Sequence, residues 1–326
     1  MSTTMLPRNR LFVSLAIAFA SIAWATPAPA QTASSLKIVV PLAAGGGADI
    51  LARILAEEIG RAQHISAVVE NRAGAGTVIG TEVVARATPD GETVLLTNPA
   101  FLINPHIKKV TYDPLVSFDP VCNMVNFPLV FVVPANSPLK SMADMIAMAK
   151  AKPGTVTVAS AGTGNPTHIG FEVLKKATGL EMTYVSYPGA APAVNALLGG
   201  HITAVYSDYG TISGQLKSGA LRPIAVGSKA RFAGLPDVPT IPEVGYTDYE
   251  AESWNGILAP AKTPKDTLAR LVSWFSAAGN SSLAKEKLGA LGLAPSVLCG
   301  PEYSASLKRQ YERFGTAIRA ADIKAD

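Results

Sequence analysis

Two segments of the sequence place an apolar strand, a glycine-rich loop and an amphipathic helix in the same order. The first, VVPLAAGGGADILARILAEEIG, runs from Val39 to Gly60 and places Gly45–Gly47 directly before the helix. The second, GTVTVASAGTGNPTHIGFEVLKKATG, runs from Gly154 to Gly179. In both predicted helices, apolar residues recur with the 3.6-residue period of a helix that buries one face. These residues are Ile50, Ile54, Leu55 and Ile59 in the first helix, and Ile169, Val173, Leu174 and Ala177 in the second.

The alternation of strands and helices continues along the chain. Further strands are predicted at ISAVVEN, ETVLLTN, MTYVS, ITAVYSDYG and LRPIAVGS, and further helices at GTEVVARA and APAVNALL. The segment FAGLPDVPTIPEVGY is rich in proline and glycine and is predicted to be a loop. The tail from Pro264 to Ala321 is predicted to be mostly helical, with Trp274 and Phe275 in the core. This order favours an α/β fold with largely parallel sheets and helices on both faces.

Two segments are candidates for crossings between two lobes, Cys122–Leu139 and Thr247–Pro260. Each begins with polar or aromatic residues and becomes strand-like. With these segments as hinges, residues 31–127 and 250–326 form the first predicted lobe, and residues 128–249 form the second.

The first thirty residues have the three-part layout of a secretory signal peptide. Arg8 and Arg10 precede a fifteen-residue apolar run, and Ala28–Ala30 has the small-residue pattern of a cleavage site. A membrane anchor is the alternative, but a span needs about 20 apolar residues. We therefore predict export to the periplasm with cleavage after Ala30, or alternatively after Ala25.

Charge and ligand-forming residues exclude several classes of protein. Without the leader, 26 basic and 24 acidic residues remain, and no basic run is interleaved with aromatic residues, so nucleic-acid binding has little support. The four histidines lack metal-ligand spacing, and we predict no metal and no cofactor. Cys122 and Cys299 are the two cysteines. Whether they form a disulfide or remain separate thiols stays open at this point.

The first glycine loop has the features of an anion site. Gly45–Gly47 can expose backbone N–H groups without side-chain cover, and the helix that follows contributes its positive end. Asp49 lies in the first helical turn, where its carboxylate can bond to backbone N–H groups. Because a negative charge would repel an anion, we interpret Asp49 as a residue that organises the loop, with direct ligand contact as the alternative.

The second loop offers neutral hydrogen-bond donors. Thr163, Asn165 and Thr167 surround Pro166, which fits the first helical turn. His168 either donates to a ligand or water, or is bonded to nearby backbone, and both alternatives stay open.

Other candidates follow the ends of predicted strands, where ligands bind in such sheets. Asn98 ends ETVLLTN, while Tyr187, Gly189 and Ala190 follow MTYVS. Asp208 could contact an ammonium group of the ligand. The alternative, which we favour slightly, is that it caps the next segment or binds water.

A rival interpretation is a nucleotide-dependent enzyme, because GAGTVIG, Gly74 to Gly80, approximates a dinucleotide-binding pattern. That pattern requires an acidic residue at the end of the next strand, and Asn98 occupies this position. The motifs GxxxxGK[ST], HExxH and GxSxG are absent, and we predict no catalytic residue.

Taken together, the motifs resemble the substrate-binding proteins of tripartite tricarboxylate transporters, the Bug-type periplasmic receptors. The matching segments are VVPLAAGGGADILARILAEEI, VVENRAGAGTVIGTEVVARATPDGETVLL, YDPLVSFDPV, GTGNPTHIGFEVLKKATG, VSYPGAAPAVNALLGGHI and LPDVPTIPEVGY. The resemblance covers nearly all of the mature chain. It implies a two-lobed periplasmic-binding-protein type II fold, a Venus flytrap, that binds a small carboxylate without catalysis.

The resemblance also implies that a carboxylate is held between the loops Leu42–Asp49 and Gly162–His168. Leu42 stands where many relatives have an aromatic ring, which suggests room for an aromatic dicarboxylate such as a terephthalate-like acid. The expected partners are the permease subunits of a tripartite transporter, with the receptor a monomer, and a signalling kinase is the alternative partner. The predicted ligand-binding residues are Leu42, Ala43, Ala44, Gly45, Gly46, Gly47, Asp49, Asn98, Gly162, Thr163, Gly164, Asn165, Thr167, His168, Tyr187, Gly189, Ala190 and Asp208.

Overall fold

The computed structural model describes residues 35–160, 162, 164–291, 293 and 295–323. The predicted signal peptide and its cleavage sites, together with the candidate site residue Thr163, lie outside these described residues. The strands are β1 (Ser35–Val40), β2 (Ser66–Asn71), β3 (Thr93–Thr97), β4 (Phe118–Pro134), β5 (Thr157–Ser160), β6 (Thr183–Ser186), β7 (Ala204–Asp208), β8 (Leu221–Val226), β9 (Glu252–Pro260) and β10 (Pro295–Cys299). The α-helices are α1 (Gly47–Gln63), α2 (Val78–Ala85), α3 (Ala100–Ile107), α4 (Met142–Ala151), α5 (Pro166–Thr178), α6 (Ala190–Leu198), α7 (Tyr209–Lys217), α8 (Lys265–Gly279), α9 (Ser282–Ala290) and α10 (Gly300–Ala320).

The first sheet has the strand order β2-β1-β3-β9-β4, and β10 adds to β4. β1 is parallel to both β2 and β3, so the loops after these three strands leave the same edge of the sheet. β9 is antiparallel to β3 and to β4.

The second sheet contains β4, β7, β5 and β6, and β8 also pairs with β4. β5 is parallel to β6 and β7. The long strand β4 belongs to both sheets, because Phe118–Pro128 pairs with β9 whereas Leu129–Val132 pairs with β7. The predicted lobe boundaries near residues 127 and 250 stay predictions.

Apolar side chains cover both faces of the first sheet. In β1, Ile38 packs with α1, α8 and α9 on one face, while Val39 packs with α3 and α10 on the other. The second sheet is packed in the same way, with Phe131 and Val132 of β4 in separate clusters. The predicted α/β class with helices on both faces is therefore confirmed, because alternate residues of a doubly covered strand are all buried.

Three local features differ from the sequence expectations or complete them. The helical tail is interrupted by β10, a short half-buried strand, and Trp274 is only half-buried, whereas Phe275 is in the core. Cys122 and Cys299 lie opposite each other on β4 and β10 and form a disulfide. The alternative of two separate thiols is thus wrong.

Candidate functional site

The first glycine loop leaves β1 and presents its backbone to solvent. Gly45 has φ of +83°, a conformation that favours glycine. Gly46 is the N-cap of α1 in an extended conformation, and no side chain of the described residues caps this helix start. A Cβ atom added to Gly45 or Gly47 would meet no atom within 4 Å. The described residues therefore leave open space beside Gly45 and Gly47, at a helix start whose backbone N–H groups can bind an anion.

The buried carboxylate of Asp49 bonds to the backbone of this loop. The Oδ2 atom of Asp49 accepts the N–H of Gly45 at 2.8 Å, and its Oδ1 atom lies 3.1 Å from the Arg53 guanidinium. Asn71 in turn donates its side-chain N–H to the carbonyl of Leu42 at 3.2 Å. Burial alone raises the pKa of Asp49, but hydrogen bonds from Arg53, Gly45 and Asn71 outweigh it and leave the pKa lowered. The carboxylate is charged and engaged by the loop, which agrees with an organising role for Asp49.

The second loop uses left-handed backbone at Gly162 (φ +103°) and Gly164 (φ +74°). Asn165 caps α5, since its Oδ1 atom accepts the N–H of His168 at 2.8 Å and the hydroxyl of Thr167 at 2.6 Å. The backbone N–H of Gly164 donates to Nδ1 of His168 at 3.0 Å. Nδ1 is therefore unprotonated, and the geometry matches the second alternative for His168, a bond to nearby backbone.

The two loops share one device. In each, the side chain at the third helical position reaches back to the N–H of the glycine that precedes the N-cap. The pairs are Asp49 with Gly45, and His168 with Gly164. This arrangement is related to a capping box, in which the third helical residue bonds back to the N-cap backbone. The sequence signal is a glycine followed four residues later by a side chain that accepts hydrogen bonds, and this pairing was not predicted.

Tyr184 of β6 supports the second loop and was not predicted as a site residue. Its ring stacks on the ring of His168 with centroids 4.0 Å apart. Its hydroxyl donates to the carbonyl of Gly162 at 2.6 Å and lies 2.8 Å from Oγ of Ser160. Tyr184 therefore fixes both the histidine and the glycine backbone. Only the pairing of β5 with β6 brings it there, so no local motif could have found it.

The candidates at the other strand ends have structural contacts. Oδ1 of Asn98 accepts the N–H of Ala100 at 3.0 Å at the start of α3. Asp208 caps α7 by accepting the N–H of Thr211 at 3.0 Å and its hydroxyl at 2.8 and 2.7 Å. Capping is thus the arrangement found for Asp208, as we favoured. Gly189 has φ of +125° at the start of α6, and Tyr187 beside it is half-buried.

The topology gathers these residues into two groups. Leu42–Asp49 and Asn98 follow parallel strands of the first sheet, whereas the loop at residues 162–168, Tyr187–Ala190 and Asp208 follow parallel strands of the second. Helix α3 contacts both groups: it begins beside Asn98, and the side chain of Ile107 at its end lies against Gly164.

Two cavities in the described part of the chain lie elsewhere. One of about 900 Å³ is lined by α5, residues 245–252 and α10. The other, of about 430 Å³, is lined by residues that include Trp254 and Arg313. The described residues of the glycine loops line neither cavity, apart from their edge at Pro166. Within these same ranges, no cluster of potential metal ligands occurs and no helix is long and apolar enough to cross a membrane.

Comparisons with known proteins agree on one family. The model of the tripartite tricarboxylate transporter family receptor matches residues 51–323. Protein BugT of Bordetella pertussis is 31% identical over 321 residues, which cover 97% of this chain and 98% of BugT.

Two solved structures share the fold over nearly their whole length. The periplasmic binding protein BugD superposes with a TM-score of 0.77 at 32% identity, covering 90% of this chain and 99% of BugD. The R. palustris protein Rpa4515, solved with adipate, superposes with a TM-score of 0.80 at 28% identity and covers 90% of this chain and 98% of its own. The protein therefore belongs to the tripartite tricarboxylate transporter receptor family, as a periplasmic solute-binding receptor of the Bug type.

Proposed function

We propose that the protein captures a small carboxylate between its two glycine loops and delivers it to the membrane permease of a tripartite tricarboxylate-type transporter. The observation that carries the proposal is the exposed start of α1 at Gly45–Gly47, where no side chain of the described residues caps the helix. Backbone N–H groups there can donate to a carboxylate, and the helix dipole favours its charge. The adipate in the structure of Rpa4515 supports a dicarboxylate as the ligand class.

The ligand works by coupling the two loops. The first loop is held by Asp49 and the second by His168 and Tyr184, so both present prearranged backbone to an anion. A carboxylate that bonds to both loops at once stabilises the state in which they are close together, and the population shifts toward it. That closed state, formed by a monomer, is the one that we propose docks on the permease. Binding involves no catalytic step.

The shape of the ligand depends on the side chains beside the first loop. Leu42 is half-buried, and its carbonyl is held by Asn71. An aliphatic side chain there leaves space beside the glycines that an aromatic ring would fill. We therefore propose that the accepted acids include aromatic dicarboxylates of the terephthalate type.

A thermal-shift panel on the mature chain from Gln31 tests the proposal. The panel contains linear and aromatic dicarboxylates, tricarboxylates, amino acids and nicotinate, each added to protein freed of bound ligand by unfolding and refolding. A ligand at 100 times its dissociation constant adds about 2.7 kcal/mol to the free energy of unfolding. A shift confined to one class of acid supports the receptor and names its substrate class. If no acid changes the melting temperature of a protein that melts cooperatively, the proposed carboxylate receptor is contradicted.

A further inference from the structure

A third loop, GAGT at residues 74–77, has an unusual backbone. All four consecutive residues have positive φ: Gly74 (139°), Ala75 (48°), Gly76 (63°) and Thr77 (82°). For the two that are not glycine, such a conformation costs about 1–3 kcal/mol each and persists only where its surroundings hold it. This is the segment whose sequence approximates a dinucleotide-binding motif, and the proposed function does not use it.

Two side chains of the α3 region hold this loop. Nδ2 of Asn104 donates to the carbonyl of Gly76 at 2.7 Å and lies 3.2 Å from Oγ1 of Thr77. Nζ of Lys108, the residue after α3, donates to the carbonyl of Ala75 at 3.2 Å. Asn104 and Lys108 are four residues apart, so they extend from the same side of the helix toward the loop.

The segment that ends in Lys108 contacts the third loop and the second loop. Helix α2, which follows the third loop, packs against the residue before the first loop, because a Cβ atom on Gly80 would lie 2.8 Å from Cβ of Pro41. The residue before Lys108 is Ile107, whose side chain lies against Gly164 of the second loop. The ammonium group of Lys108 therefore lies on the third loop, while the preceding residue contacts the second loop and the helix after the third loop contacts the start of the first.

The charge of Lys108 is not balanced by a carboxylate in the part of the chain that the structure describes. Two other cations, on the helices that follow the first and third loops, are paired, Arg53 with Asp49 at 3.1 Å and Arg86 with Glu82 at 2.9 Å. Across the residues that the structure describes, no carboxylate lies within 4 Å of Nζ of Lys108. The side chain is half-buried, and burial lowers the pKa of its ammonium group. Partly desolvated cations are favoured by a paired anion, which restores the lost solvation.

We propose that Lys108 binds the second acidic group of a dianionic ligand whose first carboxylate lies on the glycine loops. The inference rests on the proposed function and deepens it, since it makes dicarboxylates preferred over monocarboxylates. An ammonium group has three N–H donors, so one can remain on the carbonyl of Ala75 while another turns to the ligand. The glycine loops supply neutral donors to one carboxylate, and Lys108 supplies the charge for the other.

The test compares acids that differ only in the second carboxylate. Succinate and butyrate, adipate and hexanoate, and terephthalate and 4-methylbenzoate are titrated calorimetrically into the native protein, Lys108→Met and Lys109→Met. Met keeps an unbranched apolar side chain without the charge, and Lys109 is the exposed neighbour. We expect Lys108→Met to weaken binding of the preferred dicarboxylate by about 10- to 100-fold, the range for a hydrogen bond to a charged group, and its monocarboxylate by less than threefold. Lys109→Met should change neither.

The outcomes separate this inference from the function on which it rests. A native protein that binds none of the six acids contradicts both. If Lys108→Met weakens the affinity for both acids of a pair equally, Lys108 only holds the strained loop, and this inference alone is overturned. The same holds if Lys108→Met keeps the native preference for the dicarboxylate over the monocarboxylate.

A second measurement applies even if Lys108→Met does not fold. The native protein is ¹³C-methylated on its lysines, and the Lys108 resonance, assigned with Lys108→Arg, is titrated with pH. The pKa of Lys108 should rise when the preferred dicarboxylate is added and stay unchanged with the monocarboxylate. An unchanged pKa with both acids overturns the inference.

Discussion

Adding a side chain at Gly46 tests whether the backbone at the start of α1 contacts the ligand. Gly46 has φ of −81° and ψ of 169°, an extended conformation open to any residue. A Cβ atom there would meet only the carbonyl oxygen of Ala43, at an ordinary contact distance of 3.7 Å. Valine therefore fits the folded chain, but its methyl groups would occupy the space that an anion needs to reach the N–H groups.

The two expected effects differ in size. Replacing glycine by valine at an N-cap costs about 1 kcal/mol, and the lower entropy of the unfolded chain returns about 0.4–1 kcal/mol, so the free energy of unfolding should change by less than about 1 kcal/mol. Each lost hydrogen bond between an N–H group and a carboxylate costs about 1.5–3 kcal/mol. Gly46→Val should therefore weaken ligand binding at least about 10-fold with little change in stability.

The assay is calorimetric titration of the acid selected by the panel, together with urea unfolding of each variant. Gly289→Val is the matched control, because Gly289 is exposed in α9 and a Cβ atom there meets nothing within 4 Å. It should bind like the native protein. A folded Gly46→Val protein with affinity within twofold of native would refute the argument that the glycine loop cradles the anion.

Three further predictions concern the stability of the chain. Replacing Cys122 and Cys299 together by serine removes a cross-link between residues 177 positions apart and should lower the free energy of unfolding by up to about 5 kcal/mol on the chain-entropy model, measured by urea unfolding. Tyr249→Phe removes a buried hydroxyl that lies 2.7 Å from the hydroxyl of Tyr206 and should cost about 1–3 kcal/mol in the same assay. Burial raises the pKa of Glu252 in the folded protein above its value in the unfolded chain. The free energy of unfolding therefore falls as the pH rises between these two pKa values, because the unfolded chain then loses the proton more readily than the folded protein. Glu252→Gln should therefore be more stable than native at pH 7 and equal to it near pH 4.

Each of these predictions has a control. Reduction of the native protein by dithiothreitol should reproduce the cysteine variant, and equal stability of the oxidised and reduced proteins would contradict the disulfide's role. Tyr246→Phe, at a half-buried tyrosine on the same segment, should change stability by less than about 0.5 kcal/mol. A Glu252→Gln protein whose stability relative to native is the same at both pH values would show that the carboxyl is not perturbed in the folded state.

Prediction from sequence worked where the pattern is local. The period of apolar residues predicts which face of a helix is buried. In α1 the prediction is confirmed for Ile54, Leu55 and Ile59, and Ile50 is half-buried against the core. In α5 it is confirmed for Ile169 and Leu174, whereas Val173 is half-buried and Ala177, at the end of the face, is exposed, so its prediction is wrong. The short strand β10 was missed because its five residues are all half-buried and show no alternation. Trp274 was expected in the core but lies at its margin, since a large apolar residue on a helix does not by itself specify which neighbour covers it.

The candidate site was predicted in its backbone and less well in its side chains. The glycine loops follow strands, as expected, and Gly45, Gly162 and Gly164 have positive φ. The roles of Asp208 and His168 stayed open in the sequence because capping and ligand binding use the same polar atoms. The structure shows both side chains bonded to backbone, whereas ligand contact at the site residues stays a prediction.

By itself, the sequence determined the α/β class, the position of both glycine loops and the family, because periodicity, glycine placement and ordered motifs are properties of short segments. Only the tertiary structure decided which distant residues meet. It paired Cys122 with Cys299, stacked Tyr184 on His168, and placed Lys108 against a strained loop. The physical reason is that such contacts depend on strand register and on the path of the chain between elements, which local patterns do not encode.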